Sequence, residues 1–587
     1  MTGFLSGRRG TSFIDLMVSM GIISVLFGGI YLVYFSIITS IANISVRAAA
    51  TAAVQAEIET IRNLPYDSVG TVGGVPVGVI QQLQAVTVGN YSFTLQTTVR
   101  NIDDPFDGTV NGTPPDTAPA DYKLVSIIAT CPLCSNYVSV GMTTTVAPKN
   151  LESATQNGSL FISAIDANGF AVTDASVHIV NASVTPSINF TDITNTSGIL
   201  QLVGVPTSTQ GYQITVTKTG YSTDQTYPKG VIANPVKPNA TVAVQKVTSI
   251  SFAIDKTSSI TVYSSDNRCV AVPNATFLLQ GAKLIGTNPN VLKFSTTTTT
   301  GASGSVTMPN IEWDSYAFSL SDATKNLMGT IPLNPLVVNP NSATTFRLIT
   351  QTIANPSLLV TAIDAATKIG ISNAAINVSK SGFSQTLTTG HAFVMQTDWS
   401  GGQYAAQSGG LDVNSLPGAV TMLKNASGTY DTGTTEWLIS NTFDLGGSNS
   451  TFYSLSWDPT SQQSSASLQF QIAANNDNAT WNFVGPDGTA ASYFTASPGS
   501  LPALLSGNRY VRYKAYFGTQ NKNITPELDD VSIEFFADCV PPAQVLFVGL
   551  AQATYTVTVN ANNYYVASTT VSVGSGSTST IISLTHI

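Results

Sequence analysis

Gly7-Arg8-Arg9-Gly10-Thr11-Ser12-Phe13-Ile14-Asp15 is the stretch on which the reading of this chain turns, because no charged residue follows it until Arg47. Residues 16–46 are Leu, Ile, Val, Phe, Met, Gly, Tyr and Ala with a few Ser, Thr and Asn. Coiled as a helix at about 1.5 Å per residue, this run exceeds the roughly 30 Å hydrocarbon core of a bilayer. Arg8 and Arg9 on its N-terminal flank favour an N-inside orientation, with everything after about residue 47 outside the cytoplasm. A secretory signal peptide would have a shorter core and a small-x-small cleavage site on its far side. A plain membrane anchor accounts for the length and the arginines. It leaves Gly10 before the run, and Asp15 just inside it, without a reason. A carboxylate near hydrocarbon is costly and marks a function.

The order basic leader, glycine, apolar run, acid at the fifth position resembles the cleavage and methylation signal of type IV prepilins. The resemblance implies that a membrane prepilin peptidase cuts between Gly10 and Thr11 and methylates the new amino terminus of Thr11. It also implies that Asp15 pairs with the terminal amine of a neighbouring subunit during assembly. An acid and an ammonium buried together cost far less than either alone. The family usually has Phe after the cut and Glu at the fifth position; Thr11 and Asp15 depart from both. Asp is one methylene shorter, which reduces its reach.

Residues 47–64 are rich in Ala, Gln, Glu and Arg, all good helix formers, and Val54, Ile58, Ile61 and Leu64 make one apolar face. Pro65 ends the pattern. One helix is therefore expected to run from the membrane into a soluble head. Glu59-Thr-Ile-Arg-Asn-Leu-Pro65-Tyr66-Asp67-Ser-Val-Gly70 is similar to the corresponding segment of PilV-type minor pilins.

Alternating apolar residues over 85–100, 122–128, 137–140 and 143–146 predict a small antiparallel sheet after the helix. Helix followed by such a sheet is the pilin arrangement. Asp103, Asp104, Asp107 and Asp121 make an acidic loop between two of these strands. Their oxygens are candidate calcium ligands, and turn capping is the simpler alternative. Cys131 and Cys134 lie between strands with no second CxxC or paired His to complete a zinc site, so they are expected to form a disulfide. Cys269 and Cys539 are left as a candidate pair across two domains.

The rest of the chain repeats. Ser159-Leu-Phe-Ile-Ser-Ala-Ile-Asp166 matches Ser357-Leu-Leu-Val-Thr-Ala-Ile-Asp364, and Ile260-Thr-Val-Tyr-Ser-Ser-Asp266 is a weaker copy. Gly turns and alternating strands follow each copy, which predicts all-β sandwiches. They resemble carboxypeptidase-regulatory-like or Cna B-type modules of surface proteins. No Lys stands in Ser159–Asp166 or Ser357–Asp364, so the Lys–Asn isopeptide bond of some such modules is not expected. After the Ser357 copy the closing half is displaced to Val548-Gly-Leu550 and Tyr555–Tyr564. An exposed loop is where one domain tolerates another. The intervening segment holds Trp399, Trp437, Trp457 and Trp481. Its strand pattern fits a jelly roll and looks like discoidin or carbohydrate-binding modules. Trp437, Trp457 and Trp481 are candidate sugar platforms, against the plainer reading that tryptophan in a sandwich is core. Asp477 and Asp487 are candidate calcium ligands there.

The expected fold is thus α+β. Its parts are a leader peptide (1–10), a membrane and filament-core helix (11–64), a pilin-like head (65–150) and sandwich modules at 151–247 and 248–352. A third module is split between 353–389 and 537–587 around an inserted jelly-roll-like domain (390–536).

Charged residues are 10% of the chain and the formal net charge is −9, with no basic cluster beyond the leader. That disfavours nucleic acid as a partner. With three scattered histidines and no nucleophile motif, no enzyme is expected. The expected partners are the peptidase, the membrane, other pilin subunits through the helix, and a surface glycan or host-cell ligand through the β-domains. Structural calcium is the one cofactor raised. The leading function is a minor pilin or pseudopilin made as a single-pass membrane precursor and assembled into an extracellular type IV pilus-like filament for adhesion. A type II secretion-type pseudopilin engaging exported substrates, or a membrane-anchored glycan-active surface enzyme, are the alternatives.

Overall fold

The computed structural model describes residues 13–113, 115–134, 137–149, 156–416 and 418–587. It is α+β: one long apolar helix followed by antiparallel sheets and sandwiches. The chain divides into two compact units, Met1–Lys256 with Leu284–Val291, and Thr257–Lys283 with Leu292–Ile587.

The first unit begins with helix α1, Phe13–Arg62, whose 50 residues run unbroken for about 75 Å. Its two halves have different surroundings. From Phe13 to Ile44 the large apolar side chains stand exposed. From Val46 onward, Val46, Ala50, Ala53, Val54 and Ile61 are buried against a four-stranded antiparallel meander. Ile58 and Leu64 are partly buried on the same core. The small residues Ala50 and Ala53 let the helix lie close to the sheet, and the apolar face extends farther back along the helix than Val54. The meander runs β1 (Leu83–Val88), β2 (Tyr91–Ile102), β3 (Tyr122–Thr130) and β4 (Val140–Val146). The alternating run 85–100 is two strands, not one, because Gly89 (φ 61°) turns the chain so that Val88 pairs with Tyr91. Lys123 is buried and donates from Nζ to the carbonyls of Tyr66 and Val69 (2.7 Å each), fastening the segment after the helix to β3.

The first sandwich follows. Gly158–Ile165 pairs antiparallel with Ile199–Val205 and parallel with Val247–Ala253; the opposing sheet centres on Ser176–Asn181, Ile188–Ile193 and Ser208–Thr217. The head is joined to this module by polar contacts. Arg100 Nε donates to Asp192 Oδ2 (2.7 Å), and Asn101 Nδ2 donates to the Val203 carbonyl (2.9 Å). Burial works to lower the Arg100 pKa, but Asp192 outweighs it and leaves the guanidinium above its ordinary value.

The second unit holds two sandwiches of the same kind and the inserted domain. In one, Ser258–Ser265 pairs antiparallel with Ser305–Ile311 and parallel with Ala343–Thr352. In the other, Ser357–Asp364 pairs antiparallel with Gln544–Phe547 and parallel with Ser577–Leu584. Two further contacts recur. A tyrosine hydroxyl reaches a carbonyl a few residues upstream: Tyr316 to Glu312 (2.8 Å), Tyr555 to Ala551 (3.0 Å), and Tyr212 to Pro206 in the first unit. A buried threonine Oγ1 accepts a backbone N–H across the sandwich edge: Ala175 to Thr194, Ala275 to Thr300 and Ala374 to Thr389.

The inserted domain occupies one turn of the last sandwich. Residues 194–198 and 300–304 are the short turns that lead into Ile199–Val205 and Ser305–Ile311. The corresponding connection in the last sandwich, from Phe383–Thr388 to Gln544–Phe547, carries a whole domain. That domain is two larger sheets and a small three-stranded one, with a core of its own that includes Trp399, Leu438, Trp457, Phe470, Tyr513 and Phe535. The core of the host sandwich draws on Leu358–Val378 and on Val545–Leu584.

Two features hold the junction. Cys539, just past the domain's last strand, is bonded to Cys269 in the preceding sandwich. His391, at the entry, has Nδ1 2.8 Å from Glu534 Oε1 and Nε2 2.8 Å from Asn373 Oδ1. The hydrogen bond with His391 holds Glu534 below its ordinary pKa of 4.5, with burial opposing and Ser454 assisting. Since the folded value is depressed, this contribution is complete above pH 4.5 and is lost as pH falls through and below that value. Glu534→Gln should therefore flatten the acid side of the stability–pH curve of the second unit, measured by thermal unfolding between neutral pH and pH 3. Replacing Cys269 and Cys539 together by Ser should lower stability by about 2–5 kcal/mol in denaturant titration, because it frees a very long loop.

Candidate functional site

Three places carry chemistry the fold does not need for its own closure: the exposed half of α1, the acidic loop of the head, and the outer face of one sheet of the inserted domain.

Helix α1 is long and apolar enough to cross a membrane. Ser19, Ser24 and Thr39 return their hydroxyls to helix carbonyls, which removes these polar groups from the apolar surface. Gly10 and Thr11 lie outside the described residues, as does the side chain of Asp15; the Asp15 backbone is helical.

In the head, the loop between β2 and β3 gathers carboxylates. One oxygen of each of Asp107, Asp116 and Asp121 lies within 4.8 Å of the others, the one such group of acidic, His or Cys side chains among the described residues. Asp103 stands beside them. Its Oδ2 accepts from the Val110 N–H (2.9 Å), while Oδ1 is buried without a partner, as are Asp116 Oδ2 and Asp121 Oδ1. Burial raises the Asp103 pKa; the Val110 amide opposes this, and the charges of Asp116, Asp121 and Asp107 add to it. Crowded, desolvated carboxylate oxygens with free lone pairs are the donor set a hard divalent cation takes. Asp116 was not among the residues singled out by sequence; the signal was the length of the loop, which continues past Gly108 through Pro115 to Asp121. Asp104 does not join the group: its Oδ1 accepts from the Phe106 N–H (3.1 Å), a local turn.

The bond between Cys131 and Cys134 closes the turn after β3. Asp477 and Asp487 belong to no group of three ligating side chains among the described residues. Asp477 Oδ1 accepts from the N–H of Ala479 and Thr480 (2.9 Å each), and the Thr480 amide, then that of Ala479, draws its pKa to about 2. Asp487 accepts from Thr489 and Ser492 in the same manner, each acid capping its own turn.

The expectation of Trp457 as a sugar platform is corrected. It is 3% exposed and packs on Phe470 (ring centroids 4.5 Å apart), so it fills the core and presents no platform. Trp399 is buried too, its Nε1 donating to the Tyr513 hydroxyl (2.7 Å). Trp437 and Trp481 are half-buried on the outer face of a sheet, each with a cation over its ring: Lys514 Nζ 4.7 Å from Trp437, and the Arg512 guanidinium 4.4 Å from Trp481.

No protein-family model matches the chain, and no curated protein matches it. Among solved structures, the TIE protein of Bacillus anthracis is similar at 10% identity, covering 86% of this chain and 74% of that one, with a TM-score of 0.16. A streptococcal ancillary pilin matches at 11% identity over 38% of this chain and 75% of its own, TM-score 0.17. GBS52, the minor pilin of Streptococcus agalactiae, matches at 10% identity over 34% of this chain and 98% of its own, TM-score 0.18. At such scores the likeness gives no basis for function, which rests on the residues of this chain.

Calcium added to the protein should raise the unfolding temperature of the head. The gain is about 2.7 kcal/mol when free calcium is about 100-fold above Kd. Asp121→Asn should remove most of that gain, and equal unfolding temperatures with and without calcium would refute the site.

Proposed function

We propose that the chain is a minor pilin or pseudopilin of the type IV class, inserted in the membrane as a precursor and built into a filament through its N-terminal helix. The observation that carries this reading is the division of α1. One half is packed on a head by Val46, Ala50, Ala53, Val54 and Ile61, and the other presents bare apolar side chains from Phe13 to Ile44. A membrane covers such a rod before assembly, and sister rods cover it afterwards. Retaining so long a rigid rod on a folded head suits a subunit that must exchange one apolar surrounding for another.

In this reading a prepilin peptidase cuts after Gly10 and methylates Thr11. Asp15 then pairs with the amine of a neighbouring subunit, and the β-domains lie outside the cell for adhesion or surface contact. No catalytic activity is assigned to them. The acidic loop is a calcium site that stiffens the head.

Gly10→Val should leave the protein unprocessed in cells. Intact-mass analysis of the wild type should give a chain starting at Thr11 with one added methyl group. A wild-type chain that retains Met1 and both leader arginines would overturn the proposal.

A further inference from the structure

The outer face of the inserted domain's larger sheet gathers cations and aromatic rings. Three neighbouring strands form it: Thr435–Ser440, Tyr510–Thr519 and Ala466–Asn475. Along the middle strand, Val511, Tyr513, Ala515 and Phe517 point into the core, so Arg512, Lys514 and Tyr516 point out. Pairing places Trp437 beside Tyr516 on one side and Gln471 beside Lys514 on the other. Lys514 Nζ sits 4.7 Å from the Trp437 ring and 4.8 Å from the Tyr516 ring. Tyr493 packs edge-on against Tyr516 (5.1 Å) and is 38% exposed. Arg512 lies over Trp481, its Nε donating to Thr442 Oγ1 (2.8 Å).

The charge on this face is one-sided. Arg512 and Lys514 form no ion pair with any carboxylate among the described residues. The three strands contain a single acid, Glu436, which pairs with Phe517 of the core-facing set and accepts from Ser408 Oγ. In a chain with 33 acidic and 24 basic residues, two unpaired cations between aromatic rings on an acid-free face form a distinct surface. Burial lowers the pKa of both Lys514 and Arg512, so each cation is partly stripped of water with no anion to compensate.

We propose that this face binds an acidic polysaccharide, the sugar rings stacking on Trp437, Tyr516, Tyr493 and Trp481 and the sugar carboxylates pairing with Lys514 and Arg512. Flat aromatic surfaces accept the apolar faces of sugar rings, and Gln469 on the neighbouring strand offers donors and acceptors to hydroxyls. Single-stranded nucleic acid also uses stacking and cations, but its affinity rests on a basic footprint that neutralises many phosphates. Two cations on a molecule of net charge −9 supply no such footprint and suit a ligand held mainly by ring stacking, with a few carboxylates paired. The proposal concerns this domain's own surface and stands whether or not the chain enters a filament.

The test uses the full chain in detergent micelles. Polygalacturonate is the acidic probe, its fully methyl-esterified form the neutral control, and a single-stranded oligonucleotide the competing class. Wild-type protein should bind polygalacturonate at least tenfold tighter than either of the other two, and less tightly as salt is raised. Lys514→Met, which keeps the stem over the rings and removes the charge, should weaken binding at least tenfold. Tyr493→Ala, at a side chain exposed enough to leave the fold intact, should weaken it severalfold. Equal binding of the esterified polymer, tighter binding of the oligonucleotide, no binding of polygalacturonate, or unchanged affinity in both variants would overturn the proposal.

Discussion

Each of the three sandwich modules is closed by the same act, the parallel pairing of its last strand with its first. Neither strand can stand alone, because its inward residues need the opposing sheet and its edge needs a partner. The chain therefore has to travel through the entire module before the module becomes stable. The requirement is carried by pairs such as Leu358 with Thr578 and Ile260 with Thr344, whose contacts span most of the module's length. It also explains why a foreign domain is tolerated at a turn between two middle strands: as long as Ser577–Leu584 can find Ser357–Asp364, the length of the detour costs little, since loop entropy rises only slowly with length.

The recurring tyrosine and threonine contacts serve the same end more locally. Tyr212, Tyr316 and Tyr555 bring a bulky ring into the core while the hydroxyl satisfies a carbonyl at the module's rim. Thr194, Thr300 and Thr389 satisfy buried backbone N–H groups where no strand can pair. In the last module Thr389 stands at the threshold of the inserted domain, so the host retains its own rim up to the residue where the detour begins.

Much of this fold is legible in the sequence. An uncharged run followed by helix formers and a proline announces a single long helix, and alternation announces strands. The displaced closing half announced an inserted domain. What the sequence conceals depends on direction and distance. In 85–100 the turn leaves only a local trace, a shift of the apolar positions from Val86 and Val88 to Tyr91, Phe93 and Leu95 across Gly89-Asn90, which is easily read through as one strand. Trp437, Trp457 and Trp481 are equivalent by composition; the pleat turns Trp457 toward Phe470 and Trp437 toward Lys514, while Trp481 lies in a loop and meets Arg512. The acidic loop was visible at its Asp103 end, but Asp116 joins through a fold-back beyond the prolines that no periodicity reports. Lys123 reads as a solvent residue on a strand, yet two carbonyls draw it inward.

The bond between Cys269 and Cys539 has a mechanical meaning. The inserted domain leaves its host at His391 and is moored at Cys539 to the module before that host. A tug on the inserted domain travels through this sulfur tether directly into the preceding module. The host's strands lie beside the line of tension rather than along it, and their rupture would pay out no slack. The inserted domain can thus bear load without unravelling the module that carries it.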